Sequence, residues 1–381
     1  MKVVFYSNFL NDHQLPVCLE FVKQLGEGNF YFVAHQEISQ ERLSLGFENM
    51  NEIYPFVIKA YKGGQEELLA QNLMIEADVV IVGSHKNMPF EERMKLNKLT
   101  FRYNERILKN GDFRWFDPRV QKFIYTTWTK YKKCSLYTLC ASAYKARDLS
   151  LFGYPKSKCF KWGYFPMVKE YDDIDALFRK KGMKKGVSIL WVGRLVDLKH
   201  PEYPIHVAHR LKKDGYEFHM NIIGIGELES KLKKMVDRLN LQEQVNFLGA
   251  LPPVKVREYM EDSQVFLFTS NRKEGWGAVL NEAMNSGCAV IANKKIGSVP
   301  FLLKDNHNGL IYDNSFSELY CRVKELFDNH DLIECLGRNA YNSIIYSWNS
   351  KSAVLRFINM CESYGRAGFE LQYIDGICSR G

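Results

Sequence analysis

Long apolar runs, paired metal-ligand spacings and a glycine-rich first loop are absent from this 381-residue sequence. No stretch approaches the roughly 18 to 20 apolar residues that a membrane-crossing helix needs. Residues 1–8 begin directly on an apolar strand rather than on a charged and then apolar leader, so a cytoplasmic protein is expected. The nine cysteines, an odd number, show neither CxxC spacing nor neighbouring histidine clusters, which argues against a disulfide framework or a zinc module and for reduced thiols, mostly core fillers. No repeat or low-complexity tract interrupts the chain. Asp173-Ile174-Asp175 has the outline of a metal-binding aspartate pair, but it precedes an apolar-periodic helix instead of following a strand, and it reads as helix N-terminal charge. No metal is expected.

What is present fits two domains, since 381 residues exceed one ordinary core and a hydrophobic content of 46% is that of a globular protein. The net charge of +8 is unevenly spread. Residues 86–165 hold 18 Lys/Arg against 6 Asp/Glu, a net of +12, whereas residues 1–85 hold 5 against 11, a net of −6. Aromatics are mixed into the basic part, as in Phe123, Tyr125, Trp128 and Tyr131 beside Lys130, Lys132 and Lys133. An anionic membrane surface or a lipid-diphosphate acceptor suits that mixture, and a merely solvated basic face fits it equally well. No nucleic-acid motif accompanies the charge, so no nucleic-acid partner is expected.

Strand-like and helical patterns alternate along the chain, as a parallel α/β sheet requires. Residues 2–7 form a strand, 8–14 a polar loop, and Leu15, Val17, Cys18, Phe21, Val22 and Leu25 the apolar side of a helix that Gly26 ends; residues 30–34 give the next strand. This opening is Rossmann-like but lacks the glycine pair that lets a phosphate approach. Residues 77–83 read as a buried strand with Ser84, His85 and Lys86 at its carboxyl end. Residues 99–103 read as another, with Asn104, Glu105 and Arg106 behind it. His13 on the first loop can face a ligand cleft, although a surface role fits it as well, and His85, Tyr103 and Asn104 stand at strand ends, where active-site groups gather. Residues 158–175, with Pro166 and a shift to charge, read as the linker, giving domains at 1–165 and 166–348 and a terminal segment at 349–381.

In the second domain Gly193-Arg194-Leu195 turns out of a strand at 187–192, and Lys199 follows five residues after Arg194. Two cations at a strand-to-helix loop can neutralise a diphosphate leaving group, the work Mg²⁺ does elsewhere. Gly224-Ile225-Gly226 reads as a tight turn rather than a phosphate loop, and Gly249-Ala250-Leu251-Pro252 can present backbone groups to a base. The densest signal lies in residues 266–292: an apolar strand, the turn Glu274-Gly275-Trp276-Gly277, a helix with Val279, Leu280 and Met284 at helical spacing, a stop at Ser286-Gly287 and a second buried strand. The N–H groups near Gly277 and Ala278 suit a diphosphate. Glu282 can accept from ribose hydroxyls and Glu274 from those of a transferred sugar, at the strand ends where open α/β sheets bind ligands. Two solvated glutamates would leave the same trace.

Three features stand together in this order: Val192-Gly193-Arg194-Leu195 with Lys199; Phe247-Leu248-Gly249; and Glu274-Gly275-Trp276-Gly277 leading to Glu282-Ala283-Met284 and Gly287. They resemble the C-terminal domain of retaining GT-B glycosyltransferases of family 4, glycosyltransferases group 1, of the bacterial polysaccharide-assembly type. The likeness is specific over residues 187–313 and vaguer before them. It implies two Rossmann-like doubly wound domains facing across a cleft, hinge closure, and a C-terminal helix crossing back to the first domain. It also implies a nucleotide-sugar donor, UDP- before GDP-, and no cofactor or metal. Gly193, Arg194 and Lys199 would meet the diphosphate, Leu251 the base through its main chain, and Glu282 the ribose. Glu274 with the backbone of Gly275, Trp276 and Gly277 would meet the sugar, and the N–H of Ala278 the diphosphate. Transfer would proceed with retention by front-face attack, with Glu274, Arg194 and Lys199 carrying the chemistry, onto an oligosaccharide or lipid-linked acceptor at the inner membrane face, residues 86–165 touching the membrane. Family members commonly carry a glycine-rich first loop and a histidine after a later N-terminal strand that contacts the donor sugar; here the first is missing and Arg102, Tyr103, Asn104 and Glu105 occupy the second place, with His85 one strand earlier, so the resemblance makes His13, His85, Tyr103 and Asn104 the candidates for the acceptor or donor-sugar side. A nucleotide-sugar epimerase, or a non-catalytic nucleotide-sugar-binding subunit of a transferase complex, would fit the same scaffold.

Overall fold

Segments such as VVIV at 79–82, LYTLC at 136–140, VFLF at 265–268 and AVIAN at 289–293 are buried along their whole length. Parallel strands covered by helices on both faces must look like this, since neither face meets water. The computed structural model describes residues 1–40, 43, 48–84, 86–183, 185–313, 315–365, 368–370 and 373–381. The chain divides into two units, Met1–Met167 with Trp348–Gly381, and Val168–Ser347.

The first unit holds β1 (Val3–Ser7), β2 (Phe30–Ala34), β3 (Val57–Lys59), β4 (Val79–Val82), β5 (Thr100–Asn104), β6 (Leu136–Cys140) and β7 (Cys159–Lys161), parallel, in the order β3-β2-β1-β4-β5-β6-β7. The second holds β8 (Val187–Val192), β9 (Phe218–Ile223), β10 (Val245–Gly249), β11 (Val265–Phe268), β12 (Ala289–Asn293) and β13 (Leu310–Tyr312), parallel, in the order β10-β9-β8-β11-β12-β13. In each sheet the chain winds outward from its first strand and then restarts on the other side. The switch points fall between β1 and β4 and between β8 and β11. At such a point the loops leaving adjacent strands diverge and open a crevice at their carboxyl ends.

Three readings change in the fold. Cys159–Lys161, placed by sequence within a linker, is an edge strand paired to β6, too short and too basic to show alternation. The tail, which carries no sequence pattern, covers that edge: Lys161 N donates to Ser379 O at 2.8 Å, and Cys378 and Gly381 N donate to Lys161 O and Cys159 O, each at 2.9 Å. Trp128 and Tyr131, counted among surface aromatics, are buried, whereas Phe123 and Tyr125 are exposed. The helix Pro118–Thr127 explains the split, because Ile124 turns inward and Phe123 outward on consecutive positions.

The helix Ser350–Glu362 lies in the first unit, its Phe357 ring 5.6 Å from that of Phe21 on the helix Leu15–Leu25 and 5.0 Å from that of Phe101 on β5. Asp173 caps the helix Ile174–Gly182, accepting from Ala176 N at 2.9 Å, as its reading as helix-terminal charge requires. No helix among the described residues is long and apolar enough to cross a membrane.

Candidate functional site

In the second unit the loops leaving β8, β9 and β10 are laced backbone to backbone. Gly193 N donates to Ile223 O at 3.0 Å, Leu195 N to Ile225 O at 2.9 Å, and Gly224 N to Gly249 O at 2.7 Å. The approach is close enough that a Cβ on Gly224, whose φ is +136°, would stand 1.9 Å from Gly193 O, and one on Gly226 would stand 2.5 Å from Leu195 O. Gly224-Ile225-Gly226 is therefore a packing device that holds the Gly193-Arg194-Leu195 turn in place. Arg194 is exposed on that turn, and Leu251, half-buried, follows two residues after β10 ends.

Across the switch point the β8 and β11 exits are tied as well. Trp191 Nε1 donates to Thr269 Oγ1 at 2.9 Å, Thr269 Oγ1 donates to Lys199 O at 2.7 Å, and Asn271 N donates to Leu198 O at 2.9 Å. His200, in the left-handed region at φ 48°, ψ 55°, sits between Glu202 (Nδ1 to Oε1, 2.8 Å) and Asn271 (Nε2 to Nδ2, 3.3 Å). The hydrogen bond to Glu202 holds its pKa above the ordinary imidazole value despite partial burial. On this frame the Lys199 ammonium and the Glu274 carboxylate form an ion pair, with only 16% and 14% of their side chains exposed. Glu274 is itself held through its main chain, its N donating to Asn271 O at 3.0 Å and its O accepting from Gly297 N at 3.3 Å.

The turn that follows brings backbone rather than side chains to the site. Trp276 is fully buried, its Nε1 donating to Asn281 Oδ1 at 2.9 Å and its O accepting from Ser298 Oγ at 2.6 Å, so its indole anchors the turn from below. Gly277 has φ 78°, and a Cβ there would fall 2.3 Å from Phe268 Cζ and 3.2 Å from Glu274 Cγ. Gly275 and Ala278 are buried beside it, and the helix Val279–Asn285 starts there with Glu282 half-buried in its first turn. Sequence reading missed Arg257, whose Nη1 donates to Glu282 O at 3.2 Å, Asn285 Oδ1 at 3.0 Å and Ser286 Oγ at 3.2 Å. A guanidinium on a carbonyl in the last turn of a helix complements its dipole; no local pattern around residue 257 announces it.

The first unit has a cavity of about 660 Å³ at the carboxyl ends of β1, β4 and β5. It gathers three of the four sugar-side candidates, His13, Tyr103 and Asn104, while His85 lies outside the described residues. His13 stacks on Tyr164 with ring centroids 5.9 Å apart. Tyr103 OH donates to Gly163 O at 3.2 Å inside the protein, and burial pushes its pKa up. Lys145, which sequence reading passed over, also lines the cavity. It is fully buried with its Nζ 4.2 Å from the centroid of the Trp128 ring, and burial holds its pKa down to about 8. Among the described residues no group of three or more His, Cys, Asp or Glu side chains could hold a metal ion.

Residues 173–343 match the family described as glycosyl transferases group 1. The putative colanic acid biosynthesis glycosyltransferase WcaL of Salmonella typhimurium is 27% identical over 173 residues, which cover 44% of this chain and 42% of that protein. The amylovoran biosynthesis glycosyltransferase AmsK of Erwinia amylovora is 30% identical over 135 residues, 34% of this chain and 33% of that protein. The chain thus spans well under half the length of these curated relatives. Over nearly its whole length it is similar in fold to HepE of Anabaena, a structure solved with UDP, at a TM-score of 0.69 and 15% identity, covering 95% of this chain and 100% of that one.

Proposed function

We propose that this chain, whose residues 173–343 match the glycosyl transferases group 1 family and whose two parallel sheets are Rossmann-like, is a retaining, metal-independent glycosyltransferase of bacterial polysaccharide synthesis. It takes a nucleotide-sugar, UDP- before GDP-, on its second unit and an oligosaccharide or lipid-linked acceptor on its first. The observation that carries this reading is the part-buried Lys199–Glu274 pair on the tied exits of β8 and β11, with Arg194 on the same loop as Lys199. Each member answers the other's charge, and a diphosphate oxygen and a sugar hydroxyl offer each a replacement partner.

In this mechanism the bond between the anomeric carbon and the phosphate oxygen breaks, with its electron pair leaving on the diphosphate. Arg194 and Lys199 balance the charge that develops there, from positions set before reaction. Glu274 and the Gly275 to Gly277 backbone orient the sugar, the Ala278 N–H meets the diphosphate, and Glu282 holds the ribose. The acceptor hydroxyl attacks on the face the leaving group departs from, and its proton passes to the departing phosphate oxygen. UDP bound to HepE supports the choice of base.

Thermal denaturation against UDP, GDP and ADP, with and without EDTA, tests the donor site. UDP is expected to raise the midpoint, with about 2.7 kcal/mol of stabilisation at a hundredfold excess over Kd. EDTA should change nothing, and Arg194→Ala should remove the shift. A shift only with another nucleotide, or one abolished by EDTA, refutes the corresponding part.

The basic stretch of the first unit is the proposed contact with an anionic membrane face. Phe113 and Phe116 are 72% and 71% exposed, and exposed Phe123 and Tyr125 follow on the next helix with Arg119 and Lys122. Such a segment sets aromatic rings at the headgroup level while its cations meet anionic lipid. Sedimentation with phosphatidylglycerol vesicles at low salt should carry the protein down and phosphatidylcholine vesicles should not. Equal behaviour with the two lipids discards the contact.

A further inference from the structure

Among the described residues lining the first-unit cavity, the side chains of Lys145 and Asn104 each hold a buried polar atom without a hydrogen-bond partner in the protein. Lys145 Nζ has no acceptor, and Asn104 Oδ1, equally shut off from bulk solvent, has no donor. The charged groups around them are already matched. Arg106 is paired with Asp148 (Nη2 to Oδ1, 3.0 Å), and Asp148 also accepts from the main-chain N of Ile107 and Leu108 at 3.1 and 3.0 Å. Glu105 pairs with Lys109 and accepts from Tyr164 OH at 2.8 Å. Lys145 meets the face of Trp128 and feels the charge of Asp148, which raises its pKa, and of Arg102, which lowers it; Arg102 Cζ lies 4.2 Å from the Phe90 centroid and 5.9 Å from that of Trp128.

An ammonium taken out of water without an acceptor is costly, and the face of a desolvated indole returns only part of that. A methionine would pack the same space with no charge to bury, so packing does not explain a lysine here. Two cations on one ring also repel each other, and a negative group beside them relieves that repulsion. The volume of about 660 Å³ is that of a small-molecule site, large enough for a sugar with a substituent.

We infer that this cavity binds an acceptor sugar bearing an oxyanion, either a carboxylate or a phosphate, with the oxyanion accepting from the Lys145 ammonium and a sugar hydroxyl donating to Asn104 Oδ1. The inference rests on the reading of the first unit as the acceptor side. An oxyanion supplies both the missing acceptor and the missing charge, and charge-assisted hydrogen bonds of this type are about twice as strong as neutral ones. A neutral hexose satisfies Asn104 and leaves the ammonium as it was.

The test is calorimetric binding to the full chain, without nucleotide, of D-glucuronate, glucose 6-phosphate, glucose and inorganic phosphate. At least one anionic sugar should bind tenfold or more tightly than glucose, and the arm that does so names the oxyanion. Lys145→Met should erase that preference while leaving the glucose affinity as it was, which also shows that the variant is folded. Asn104→Asp, which adds a carboxylate to the cavity, should weaken the anionic sugars more than glucose. Equal affinities for glucose and both anionic sugars, a preference that survives in Lys145→Met, or no binding by any sugar overturns the inference. Inorganic phosphate matching glucose 6-phosphate refutes its sugar part. UDP-dependent transfer is assayed separately. A protein that keeps the anion preference but transfers no sugar refutes the transferase reading and leaves this site standing; one that transfers to neutral acceptors with no anion preference does the reverse.

Discussion

Lys199→Met is expected to lower sugar transfer by about two to three orders of magnitude, the loss that follows removal of one preorganised group aimed at developing charge. The ammonium is held by two independent constraints: its own carbonyl accepts from Thr269 Oγ1, and its charge meets Glu274. Its position is therefore set by the protein rather than by a ligand. The change in kcat should exceed the change in KM, because the diphosphate carries more charge as the bond breaks than in the bound donor. Stability should fall far less. Glu274 keeps its main-chain bonds to Asn271 and Gly297, and an unpaired group of this kind costs about 1–3 kcal/mol. Glu274→Gln provides the companion measurement, since it keeps the shape and removes the charge. Turnover within tenfold of the parent in Lys199→Met would remove the cation from the mechanism.

Gly224→Ala should be the most disruptive single substitution near the donor site, lowering stability by about 3–5 kcal/mol and abolishing the thermal shift with UDP. The methyl group would meet Gly193 O at 1.9 Å and Gly193 C at 2.9 Å. These are main-chain atoms, so no side chain can swing away; either β9's exit or the Gly193-Arg194-Leu195 turn has to move. At φ +136° alanine is strained even without the clash. Gly215→Ala is the control: its φ is +83°, nothing lies within 4 Å of the new methyl, and it should cost about 1 kcal/mol. Scanning calorimetry of the two variants separates backbone strain from collision. Midpoints within two degrees of one another, where about 2–4 °C per kcal/mol is expected for a unit of this size, would mean that the lacing of the three loops is not what holds the turn.

Features of this chain built from neighbouring residues were legible in its sequence, and those built from distant ones were not. The strand, turn and helix of residues 266–292 were legible because each signal is local: an apolar run, then Gly277 at a position where φ is positive, then Val279, Leu280 and Met284 at helical spacing, of which Leu280 and Met284 turn fully inward and Val279 is half-buried. Cys159–Lys161 was not legible, since three residues with a lysine among them carry no periodicity, and only pairing with Thr138 to Cys140 makes them a strand. Arg257 escaped for the same reason, its partners lying 25 to 29 residues away. The turn at Gly275 to Gly277 was read through its main chain, and the Trp276 indole is wholly inside, donating to Asn281.

The sequence alone determined the α/β alternation, because parallel strands buried on both faces must be written as apolar runs separated by amphipathic helices. It also marked which short stretches carry the proposed donor-side groups, because strand exits, glycine turns and helix starts are local chemistry. Only the tertiary structure decided what those groups do to one another. Lys199 meets Glu274 across 75 residues because β8 and β11 lie side by side at the switch point. Lys145 becomes a buried cation over Trp128 because that helix start and that ring close on one cavity. Charge and burial depend on what the folded chain brings into contact, and no window along the sequence contains both partners.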